Sequence, residues 1–83
     1  MEEYQQQAEE FYHQCGDWFK KENGQVKFRD DYQGVTYWDV MTDKSFIEHL
    51  RHKYVKQFKT RMSLATMRKI WQYLEPRCTI SIL

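Results

Sequence analysis

The side chains best placed for chemistry in this 83-residue chain are cations. Lys53, Lys56 and Lys59 recur at every third position, preceded by His49 and His52. On a helix turning 100° per residue these five cover one continuous arc, with Glu48 only at its margin. Such a stripe suits phosphate, because each lysine set beside a backbone phosphate releases counterions and adds affinity without reading sequence. Arg61 follows at once, and Arg68, Lys69 and Gln72 stand on the outward positions of the next apolar-periodic stretch, beside Ala65 and Thr66. Arg, Lys and Gln are the side chains that reach guanine and adenine edges in a major groove. The same pattern also describes the solvated outside of any packed helix pair. The corner between the helices has no Gly, and the hairpin precedes the pair instead of following it as in a winged helix, so a specific DNA reader is weakly drawn.

Other constellations are thinner. Asp30, Asp31, Asp39 and Asp43 flank a predicted hairpin and offer carboxylates to Mg²⁺, but turns recruit Asp for its own backbone bonds. His49 and His52 lie three apart, with no Cys or carboxylate at zinc-like spacing to complete a set, and His13 and Cys15 point in different directions on a helix. Cys15 falls in an apolar arc and Cys78 on a predicted strand, and buried free thiols are expected in preference to a disulfide. Phe28, Tyr32, Tyr37 and Trp38 suit either a base-stacking platform or a core; Trp38 is assigned to the core. There is no Gly-rich phosphate loop, nucleophile elbow or Cys/His pair with an orienting acid. No enzymatic activity, metal or cofactor is expected.

Charge divides along the chain. Residues 1–41 carry four basic against nine acidic side chains, a net −5, and residues 42–83 carry nine against three, a net +6. A field so arranged draws polyanions to one end, unless the two halves neutralise each other on folding. Fourteen aromatics, 17% of the residues, provide bulk for a compact core and exclude a disordered tail. No apolar run reaches the roughly 18 residues of a membrane span, and Met1-Glu2-Glu3-Tyr4 lacks the basic and apolar regions of an export signal. An intracellular location, cytoplasmic or nuclear, is expected.

The elements that must position these residues follow from periodicity. Tyr4, Ala8, Phe11, Tyr12, Cys15, Trp18 and Phe19 share one arc of a helix predicted over Glu2–Glu22, with Gly16 on its polar flank and Asn23-Gly24 as its stop. A hairpin follows, pairing Val26 and Phe28 with Val35–Val40 through a turn of more than two residues. A second helix is predicted over 45–61, capped by Ser45 with Glu48, or by Thr42 or Asp43, and burying Phe46, Ile47, Leu50, Tyr54 and Phe58. A third spans 63–75, with Leu64, Met67, Ile70, Trp71 and Leu74 inward and Pro76 ending it. The alternating Cys78–Leu83 reads as a strand, paired to the hairpin's edge or to another chain.

The expected fold is one α+β domain over 1–83, three helices packed on a small antiparallel sheet in the order α-β-β-α-α-β. Its expected role is a small nucleic-acid-binding regulatory module using Lys53, Lys56, Lys59, Arg61, Arg68, Lys69 and Gln72. The alternative is a protein-binding regulator or inhibitor. It would dock on a larger protein's basic surface through the acidic helix face of Glu2, Glu9, Glu10 and Asp17, or through the C-terminal strand, which also offers a homodimer contact.

Overall fold

A computed structural model describes residues 3–81. It is an α+β fold: α1 (Gln5–Cys15), a 3₁₀ turn (Gly16–Trp18), β1 (Phe19–Glu22), β2 (Gln25–Tyr32), β3 (Val35–Met41), α2 (Asp43–Phe58), α3 (Leu64–Cys78) and β4 (Thr79–Ile80). The strands form one sheet in the order β3-β2-β1-β4, antiparallel except for β4, which runs parallel to β1. The sheet is therefore mixed, with one more strand than the sequence led us to expect.

The first helix ends at Cys15, seven residues short of the predicted Glu22. Beyond it Phe19–Glu22 is a strand, and Asn23-Gly24 stops no helix. Both turn residues have positive φ, 52° and 82°, as a two-residue hairpin twisted like its strands requires, and Glu22 pairs with Gln25 across them. Gln33 and Gly34, with φ of 51° and 79°, repeat this geometry between β2 and β3, so that turn is also two residues and not longer. Gly16 is not idle either: a Cβ there would lie 2.9 Å from the Tyr12 ring.

Alternation puts Phe19, Val26 and Phe28 on the sheet face covered by the helices, and Lys20, Glu22, Lys27, Arg29 and Trp38 on the open face. Aromatic contacts join the layers. The Phe11 ring stacks on Phe19 and meets Tyr54 edge-on, both at 5.2 Å, and Phe46 meets Trp71 at 4.8 Å. The predicted inward residues of α2 and α3 are buried or half-buried, except Leu64, which is exposed. Trp38 is the misplaced one. It stands on the open face, half-buried, with the Lys20 ammonium 4.3 Å from its ring, because the side chains beside it on β2 and β1 are Arg29, Lys27 and Lys20.

Helix ends follow local chemistry. The Thr42 hydroxyl, one of the expected caps, accepts from the Ser45 amide and starts α2 at Asp43, two residues before 45, and the Ser63 hydroxyl accepts from the Thr66 amide and caps α3. α2 stops at Phe58 instead of 61, with Lys59 in the left-handed region at φ 53°. Pro76 does not end α3, which continues to Cys78. The Cys78 thiol donates to the Leu74 carbonyl and the Thr79 hydroxyl to that of Glu75, so side chains hold the last turn. Cys78 is thus helical. The strand after it keeps only Thr79–Ile80 and pairs with β1, not with the hairpin's edge; Ile82 and Leu83 lie outside the described residues. Among the described residues no helix is long and apolar enough to cross a membrane.

Candidate nucleic-acid interface

Among the described residues, Glu9, Asp17, Glu22 and Asp31 of the N-terminal half pair with cations, none of them on α2. Glu9 is bound by Arg77, Asp17 and Asp31 by Arg29, and Glu22 by Lys27 at 2.7 Å; in the C-terminal half Glu75 is bound by Lys21 at 2.6 Å. Glu10 accepts from Gln14. The consequences appear in proton affinity. The Lys27 ammonium bonded to Glu22 holds that carboxyl below its ordinary value, and the Arg29 guanidinium does the same for Asp31. Most of the neutralisation lies on the open sheet face and along α1.

What remains is the corner between α2 and α3. Residues 49–74 contain no carboxylate. Lys56, Lys59, Arg61 and Arg68 are exposed and, among the described residues, enter no ion pair. Arg51 reaches back from α2 to the Met62 carbonyl at 3.5 Å, and with Val55, Arg61, Met62 and Ser63 it lines an open depression at the corner. Glu3 and Glu10 approach α2 at Tyr54 and Phe58, on the flank opposite Lys56.

The seven predicted residues do not form one face. Lys56, Lys59 and Arg61 gather at the corner. Lys53 is half-buried, its ammonium 3.8 Å from the Trp18 ring, where Arg29 also lies at 4.7 Å. Lys69 leans towards α1, 5.6 Å from the Tyr4 ring. Arg68 and Gln72 line a cleft of about 230 Å³ with Lys21, Asp43, Trp71 and Glu75. His49, assigned to the outer arc, packs its ring 5.6 Å from Phe28 and bonds the Ser45 carbonyl through Nδ1. The wheel finds each residue's side of its own helix but not the neighbour waiting there, and Trp18 and Tyr4 were the neighbours.

The alternative acidic surface is broken up. Asp17 lies beyond α1, in the 3₁₀ turn, and Glu9 and Asp17 are engaged by arginines; Glu2 lies outside the described residues. Of the possible stacking residues Phe28 is buried, while Tyr32 and Tyr37 are exposed. The thiols of Cys15 and Cys78 are both free and buried, and burial pushes the Cys78 thiol up to about 12. Among the described residues no three His, Cys, Asp or Glu side chains gather closely enough for a metal ion. No protein family, curated protein or solved structure matches the chain.

Proposed function

We propose that this protein is a small regulatory module that binds nucleic acid through the α2–α3 corner, tracking backbone phosphates without reading bases. The observation that carries this reading is the set of exposed cations at that corner, Lys56, Lys59 and Arg61, which enter no ion pair among the described residues, while Glu9, Asp17, Glu22 and Asp31 of the N-terminal half are bound by other cations. Unneutralised charge gathered at one corner is what counterion release needs. Base readout is not part of the proposal, since Gln72 and Arg68 line a cleft beside Lys21, Asp43 and Glu75, apart from Lys56, Lys59 and Arg61.

The test is a salt titration of binding to random duplex DNA, single-stranded DNA and RNA. Affinity should fall with a log–log slope of roughly −0.9 per duplex phosphate engaged and about −0.7 per single-strand phosphate. The triple change Lys56→Glu, Lys59→Glu and Arg61→Glu should abolish binding. Lys27→Gln, at a cation already paired to Glu22, should leave it unchanged. Binding that survives the triple change, or shows no salt slope, rejects the proposal.

A further inference from the structure

We propose that the protein self-associates through β3, two copies pairing edge to edge and antiparallel so that their sheets become one. β3 is the end strand of the sheet, paired along its whole length with β2 and without a bulge. Natural edges of this length are usually blunted by Lys, Pro or a bulge. This one carries Val35-Thr36-Tyr37-Trp38-Asp39-Val40-Met41, with Asp39 its single charge. Val35 and Tyr37 are 50% exposed and Val40 57%.

The hairpin decides which backbone groups are free. A two-residue turn makes Tyr32 and Val35 a hydrogen-bonded pair, and alternation continues from there. Val35, Tyr37, Asp39 and Met41 therefore use their amides and carbonyls on β2, whereas Thr36, Trp38 and Val40 turn theirs outward. A two-fold pairing must match outward residues with outward residues. Centred on Trp38, it sets Trp38 against its own counterpart and Thr36 against Val40 on either side, engaging every outward group of the strand. Sliding two residues loses one of these pairs.

Charge selects the same register. Centred on Trp38, each Asp39 stands opposite the other copy's Tyr37, and Val35 stands opposite Met41. Sliding two residues one way would instead face Asp39 with Asp39, a like-charge pair directly across the strands. The edge is thus complementary to itself in the register that satisfies most of its backbone. The expected C-terminal contact has no such length, since β4 is Thr79–Ile80 alone.

Sedimentation equilibrium on the full chain should give twice the 10.3 kDa monomer mass at about 100 µM, a concentration suited to a micromolar edge contact. Trp38→Cys should cross-link covalently under mild oxidation, since facing residues of a hydrogen-bonded pair lie about 5.5 Å apart. Gln25→Cys, also exposed but away from the edge, should not. Val40→Pro removes an outward amide while sparing the β2 ladder, and should shift the mass to monomer with an unchanged circular dichroism spectrum. If that variant misfolds, the Trp38→Cys cross-link decides. A monomeric parent chain, a dimer that Trp38→Cys fails to cross-link, or a folded Val40→Pro dimer overturns the proposal.

Discussion

Lys59 does two things at once. Its amide bonds the Val55 carbonyl at 2.8 Å and closes α2, which puts the residue at φ 53°, a conformation that suits glycine better than a side chain with a Cβ. Its ammonium is one of the free charges of the corner. These roles separate cleanly by substitution. Lys59→Gly should stabilise the fold by about 1 kcal/mol in urea denaturation, by relieving the left-handed backbone. The same variant should flatten the salt slope of nucleic-acid binding by roughly one phosphate's worth. A variant that is less stable than the parent would contradict the backbone account. A variant that is more stable yet binds with an unaltered slope would remove Lys59 from the interface.

Among the elements, α2 and α3 were legible because each keeps its apolar spacing for four turns and begins with a hydroxyl cap. The failures share a cause. Trp18 and Phe19 continue the periodicity of α1, so one wheel ran through a 3₁₀ turn into a strand with a single buried residue, Phe19. The signal against it was Asn23-Gly24, which marks a tight hairpin at least as well as a helix stop. At the site, the lysine spacing gave the exposed stripe, but cation–aromatic contacts between elements distant in sequence drew Lys53 and Lys69 aside. Pro76 was expected to stop α3 because a proline inside a helix costs about 3 kcal/mol in isolation, yet the helix runs on for one more pair of residues, with Cys78 and Thr79 side chains bonding the Leu74 and Glu75 carbonyls. That cost is still present. Pro76→Ala should raise stability by about 1–2 kcal/mol, measured by chemical denaturation, once the looser unfolded chain is allowed for. No gain would mean the helix is not strained there.

For the whole molecule, one core holds every layer, and its two thiols report on it. Cys15 and Cys78 sit 1% and 7% exposed, and burial raises both proton affinities. At pH 8 iodoacetamide should label neither at an appreciable rate until denaturant unfolds the chain, after which both should react together. Fast labelling of either one alone in native buffer would show that the core opens in parts. The sign with pH follows. A thiol whose folded value lies near 12, against 9.0 when unperturbed, keeps its proton in the folded chain and loses it in the unfolded one between those two values. Stability should then decline as pH rises past about 9, because the unfolded chain gains by ionising.

The parallel strand pair has a bearing on how the chain is made. β1, β2 and β3 are joined by two tight turns, so a nascent polypeptide has the whole meander in hand while α3 is still unsynthesised. β4 must return to β1 across both later helices, and Asn23 at the first turn bonds back to Ile80. Local strands can assemble quickly, whereas this distant clasp waits on loop closure and arrives late. Until α3 has been made and docked, Phe19 and Phe28 face a roof without Met67, Ile70 and Leu74, and the unfinished protein is at its stickiest.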